Sequence, residues 1–317
     1  MRLNPQPNIT DVFQKQDILA RGMFLSRIKQ YSICKERSMK KLIRLLSLGC
    51  ALLLPAAPVL AQFDHSHKAF DALLKKNVAV LQGGKANQVR YAAFKQDEAA
   101  LKSYTESLSG VTDAEFRTFS KPQQMAFLIN AYNAFTVQLI LTKYPDLKSI
   151  KDLGGTFSSP WKQKFFKLLG HDATLDQIEH EMLRKKGVYE EPRVHFAVNC
   201  ASIGCPALRE EAFTPARLDA QLEEQATRFL SDRSRNRYNA QREALEVSKI
   251  FDWFKEDWQS GYKGIGKDQS PVTSREQYFG KYAKLLSDKP EEQSVIAGGK
   301  AEIRTLDYDW NLNDVKR

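Results

Sequence analysis

Cysteine is scarce in this chain, with four in 317 residues: Cys34, Cys50, Cys200 and Cys205. No two form a C-x-x-C pair, the tight spacing that builds most zinc sites and lowers a thiol pKa in redox motifs. Internal repeats and low-complexity stretches are also missing. No apolar run is long enough to cross a membrane comfortably. The one beginning at Leu45 is broken by Pro55, short of the roughly 20 residues that a spanning helix needs. A concentrated basic face is the last absence. The formal charge is +10, but the first 61 residues hold 10 of the 48 Lys and Arg and 3 of the 38 Asp and Glu. The remainder carries 38 basic and 35 acidic residues, a net +3. Nucleic-acid binding needs concentrated positive charge, so no nucleic-acid partner is expected. Charges alternate in sign along the predicted helices, the pattern of solvated faces.

What is present begins at Met39, with "MKKLIRLLSLGCALLLPAAPVLAQ". Lys40, Lys41 and Arg44 precede an apolar run, and Val59 and Ala61 place small residues at −3 and −1 of a cut before Gln62. These are the mechanics of a secretory signal peptide over residues 39–61. A lipoprotein cut at Cys50 is less well served, because Cys50 comes too early in the run. A signal peptide belongs at the N-terminus, so residues 1–38 read as an over-extended start; a cytoplasmic tail before an uncleaved anchor is the alternative. The expectation is a periplasmic or secreted protein with no stable membrane span after cleavage. Its single domain covers residues 62–317 and is long enough for one sizeable core. Cleavage removes Cys34 and Cys50, leaving Cys200 and Cys205 in an oxidising space.

Helical periodicity runs from about Lys68 to Leu81, and His65-x-His67 before it reads as a loose tail. "QVRYAAF" reads as a short strand, followed by a helix from about Gln96 to Ser109. Thr112-x-x-Glu115 and Ser120-x-x-Gln123 are capping boxes. The second opens "QQMAFLINAYNAFTVQLILTKY", apolar nearly all round and therefore a buried central helix. Asn130 and Asn133 share one side of it at i, i+3. Buried amides must find partners, so they either bracket neighbouring loops or point into a cleft. "KFFKLLGHDATLDQIEHEML" reads as strand, turn and helix. On that helix Glu179 and His180 diverge by about 100° and are not expected to face one site. "RVHFAVN" reads as a strand by β-branched alternation, with His195, Ala197 and Asn199 on one face. Thr214-Pro215 starts a helix, "EALEVS" is a strand, and "KIFDWFKEDW" and "REQYFGKYAKLL" are helices. The end is strand-like through Leu306. The aromatic residues of this last region read as core.

"VHFAVNCASIGCPAL", Val194 to Leu208, carries the chemistry. A cysteine nucleophile needs a base and a group to orient it. His195 and Cys200 would lie about 16 Å apart on a straight strand, so the chain must curl back after Asn199; His180 is the other candidate base. Alternatively, Cys200 and Cys205 close a small disulfide loop contributing about 2 kcal/mol. A metal site of His195, Cys200 and Cys205 lacks a fourth ligand. These readings stay open.

"AFLINAYNAFTVQLIL", "IEHEMLR" and "VHFAVNCASIGCPAL" followed by a Thr-Pro-capped helix resemble the domain-of-unknown-function 547 family (DUF547) from about Thr112 to Asp232. "VSKIFDWFKEDW" and "YDWNLN" also resemble its members. The family name records an unassigned activity, and the resemblance implies an exported bacterial member. The matching positions are Asn130, Tyr132, Asn133, Glu179, His180, Arg184, His195, Asn199, Cys200, Ser202 and Cys205. A distant kinship with papain- and transglutaminase-like folds is suggested by a central helix packed on a histidine-bearing strand. In those folds the cysteine starts the central helix, and this helix has none, so the mechanism does not transfer.

The expected fold is one α+β domain, with helices packed around a small mixed sheet and the Ala126–Leu141 helix central. The leading function is a cysteine-dependent hydrolase or transferase acting on an amide or thioester. Cys200 is its nucleophile, His195 its base, and Asn133 or Glu179 the orienting or polarising group. Asn130, Tyr132, Arg184, Asn199 and Ser202 would bind substrate, with Arg184 and Arg193 holding an anionic group. The rivals are a non-catalytic envelope-interaction domain stapled by Cys200–Cys205, and thiol–disulfide exchange. No metal or cofactor is expected, and the partner is an unidentified small molecule or envelope component.

Overall fold

A 21-residue helix, Lys121–Leu141, is the axis of the structure. It starts where the capping box predicts, the Ser120 N–H donating to the Gln123 side chain at 2.8 Å. It is buried without a break from Met125 to Val137, because nearly every position is apolar and neighbours close on all sides. The computed structural model describes residues 62–155, 158–266 and 270–315. The signal peptide expected at 39–61, the segment 1–38, and Cys34 and Cys50 lie outside the described residues. Phe63–Arg317 forms one compact unit.

The fold is α+β, with its strands dispersed. Val78–Leu81 pairs antiparallel with Ala86–Val89, and Phe166–Leu168 with His171–Ala173. The mixed sheet has three strands: Ala244–Val247 runs antiparallel to Arg237–Asn239 and parallel to Glu302–Thr305. Two apolar clusters result. One surrounds the central helix. The other gathers Phe229, Phe251, Trp258, Tyr278 and Phe279 beside the mixed sheet. The segment 192–205 runs between them: Val194, Ala197 and Val198 pack in the first, Phe196 in the second.

Three expectations are corrected. "RVHFAVN" is not a strand; Pro192–Phe196 is a 3-10 helix with Pro at its start, and the Glu191 side chain accepts from the Arg193 N–H at 3.0 Å. Residues 191–199 are all buried, so apolar alternation carries no information about a face. The loose tail is also absent. His67 is buried and its Nδ1 lies 2.7 Å from the Tyr104 hydroxyl, while the His65 ring packs edge-on to Phe119 at 4.3 Å. "KAFDALLKKNVAVL" splits into a helix, Lys68–Asn77, and the strand Val78–Leu81. No helix of the described residues is long and apolar enough to cross a membrane.

Candidate functional site

Cys200 is carried on a loop framed by amides. Asn133, on the central helix, donates to the Ala197 carbonyl at 2.9 Å and accepts from the Asn199 N–H at 2.8 Å. Asn199 donates to the Pro206 carbonyl at 2.7 Å and accepts from the Ala201 N–H at 2.9 Å, closing the loop on itself. One turn earlier, Asn130 brackets the backbone of Phe213 in the same way. All three asparagines are buried.

Next to Cys200, Ala201 sits at φ +61°, a conformation that costs a non-glycine residue energy and persists only where its surroundings impose it. Here the C-terminal segment does so. The Ile203 and Gly204 N–H groups donate to the carbonyls of Asn311 and Asp309, and the Asn313 N–H donates to the Ala201 carbonyl. A Cβ on Gly204 would lie 3.0 Å from the Asp309 backbone, so a larger residue would press the two segments apart.

The loop presents its thiol to a cavity of about 230 Å³. The Cys200 sulfur lies 3.0 Å from the Tyr308 hydroxyl, 2.7 Å from the Cys205 sulfur and 3.8 Å from Ser202 Oγ. The sulfur–sulfur distance is inside van der Waals contact and longer than a disulfide bond of about 2.05 Å. The Cys205 thiol, the Tyr308 hydroxyl and Ser202 favour the thiolate and pull the Cys200 pKa below its ordinary value, against burial. Burial, and then the neighbouring Cys200, push Cys205 well above the usual range. Tyr308 is also raised, by burial first and then by the cysteines. It therefore keeps its proton and donates. The two thiols are thus shifted in opposite directions.

His195 lines the same cavity. Its Nε2 is 2.7 Å from Asp257 and its ring stacks on Phe254 at 4.1 Å. Asp257 accepts two further bonds from Arg184, at 2.6 and 3.3 Å. Burial opposes ionisation there, yet the bonds from His195 and Arg184 hold the Asp257 carboxyl at about 2. Glu179 and His180 also reach the cavity together, which corrects the divergence argument. Gln177–Leu183 is a π-helix, closed by the bond from the Arg184 N–H to the Glu179 carbonyl at 3.0 Å; such wide turns recur at functional sites.

Of the residues singled out from sequence, the cavity gathers Tyr132, Glu179, His180, His195, Cys200 and Cys205. Asn130, Asn133 and Asn199 serve backbone groups instead; the His195 ring bonds Asp257, not Asn133 or Glu179. Ser202 lines a second cavity of about 420 Å³ behind Cys205 and Tyr308. Arg184 is consumed by Asp257 and by His180 Nδ1 at 2.6 Å, and Arg193 by Glu191, Asp219 and Glu223, so neither guanidinium is free for an anionic group. Among the described residues, no group of three or more His, Cys, Asp or Glu is placed to hold a metal ion.

Residues 116–230 match a family model. It is DUF547, described as a protein of unknown function. No curated protein and no solved structure matches the chain. The DUF547 match takes in Tyr132, Glu179, His195, Cys200 and Cys205, but ends before Trp253, Phe254, Asp257, Tyr308 and Trp310. The latter five complete the site from the C-terminal third. Sequence reasoning missed them by assigning the aromatic residues to the core. That holds for Trp258, which is fully buried, but Trp253 remains 43% exposed. The available signal was the likeness of "VSKIFDWFKEDW" and "YDWNLN" to the family.

Proposed function

We propose that the protein is an exported cysteine-dependent acyl hydrolase or transferase acting on an amide or thioester. The observation that carries this reading is a part-exposed Cys200, stabilised as thiolate by protonated neighbours and opening into the cavity that His195 lines. The Cys200 sulfur attacks the carbonyl carbon, forming a C–S bond. The bond to the leaving amine or thiol breaks, and that group takes a proton from His195, which Asp257 holds in place. Water, or an acceptor nucleophile, then attacks the acyl thioester and returns its proton to His195, releasing the acid or transfer product and restoring the thiolate. Tyr308, rather than His195, is the hydrogen-bonding partner of the sulfur. Export is supported by the basic, apolar and small-residue order of Met39–Ala61.

The test is the pH dependence of iodoacetamide alkylation of the reduced protein, read by mass. Cys200 is expected to react with a midpoint below the usual 8.5 or so, and Tyr308→Phe to raise that midpoint by about one pH unit. Reaction only above the usual thiol pKa would overturn the reading. The sulfur–sulfur distance favours a second one, in which Cys200 and Cys205 form a disulfide as a staple or an exchange pair. Alkylation under denaturing conditions, with and without prior reduction, separates the two: a mass gain that requires reduction supports the bonded pair.

A further inference from the structure

We propose that the Cys200 cavity selects a substrate carrying a cationic group, an ammonium or guanidinium, close to the carbonyl that is attacked. This rests on the thiolate reading for its chemistry, but the recognition stands on separate observations. Among the described residues no Lys or Arg lines the cavity, while the carboxyls of Asp176 and Glu179 do. Arg184, the basic side chain bonded to His180 of the lining, is taken up by Asp257. The Glu179 side chain meets the neutral Tyr132 hydroxyl, and the Asp176 carboxyl lies 3.7 Å from His180 Nε2. Two carboxyls that pair with no Lys or Arg among the described residues gain most from a ligand that brings a cation.

The same lining is rich in aromatic rings: Trp161, Trp253, Phe254, Tyr308 and Trp310. Tyr308 and Trp310 lie 4.5 Å apart, with Trp253 at 4.9 and 5.6 Å from them. Ring faces attract cations, and the protein already uses these rings so. The Lys151 ammonium sits 3.7 Å from the Trp310 ring centre and the Arg184 guanidinium 4.7 Å from that of Phe254. A lining of aromatic rings and two carboxyls suits an organic cation and rejects an anion.

Two measurements test this. Calorimetric binding of pentylammonium and of pentanoate to the full chain and to Cys200→Ser reads the cavity's preference independently of the thiol. Pentylammonium is expected to bind at least about tenfold tighter in both proteins, with the ratio collapsing in Trp253→Ala and in the Asp176→Asn, Glu179→Gln pair. Equal binding, or tighter pentanoate, overturns the proposal. Alkylation of reduced Cys200 by three chloroacetamides of equal length, ending in ammonium, methyl and carboxylate, then reads reactivity. The ammonium probe is expected to be fastest. Three equal rates on a reactive Cys200 overturn the cationic selection and leave the nucleophile standing. Ammonium-selective binding with an inert thiol supports the selection and removes the nucleophile.

Discussion

Toward the central helix, the segment Ala197–Cys205 is met by amides; toward the cavity it is met by ionisable groups and indole rings. On the first side Asn133 and Asn199 spend their polar atoms on backbone partners. Neutral amides hold geometry at any pH, and they leave no charge to be desolvated. On the second side two thiols, two carboxyls and two imidazoles share one cleft, and the thiols are shifted in opposite directions, Cys200 down and Cys205 up. The contrast separates what positions the loop from what lines the cavity.

The sharpest way to break this contrast is Asn133→Ala. It strands the Ala197 carbonyl and the Asn199 N–H in the interior and is expected to cost about 2–4 kcal/mol in urea unfolding. A loss below about 1 kcal/mol would show that the bracket does not hold the loop. Acid stability comes next. Burial, with His65 nearby, lowers His67 to about 3. The unfolded chain therefore binds the extra proton first, and stability falls as pH drops from about 6.5 toward 3, by about 1.4 kcal/mol per unit in the middle of that window. His67→Gln should flatten this slope. Asp257, held at about 2, adds stability above its unfolded value near 3.9 that disappears as pH falls through 2. Asp257→Asn should therefore lower stability at every pH above about 4 and flatten the slope only between about 4 and 2. Melting curves across pH distinguish the two, and an unchanged profile in either variant would remove that residue from the account. The smallest effect on stability is expected from Trp253→Ala. This ring is 43% exposed, so the variant should lose no more than about 1 kcal/mol while losing cation selectivity. A large stability loss would move Trp253 from the wall of the site to the core.

Helix starts were legible because capping chemistry is local. Thr112 accepts from the Glu115 N–H at 3.1 Å, and Thr174 and Gln177 exchange bonds at 3.0 and 3.1 Å. The central helix was legible because a nearly all-round apolar surface has few other uses. Cys200, His195 and Glu179 were found as residues, but their partners Tyr308 and Asp257 are 108 and 62 positions away from Cys200 and His195, and no local pattern encodes such pairings. The 192–196 segment was misread because a fully buried stretch satisfies strand and helix patterns alike. Glu179 and His180 were separated by assuming an α-helical pitch, which the π-turn relaxes.

The backbone bonds from Asp309, Asn311 and Asn313 to the cysteine loop also bear on biosynthesis. A chain emerging from the ribosome exposes Cys200 long before these residues, and before Tyr308, exist. A product truncated before Tyr308 would lack both the hydroxyl that lies 3.0 Å from the Cys200 sulfur and the carbonyls that hold Ile203 and Gly204. The surroundings of this thiol are thus the last part of the site to be made.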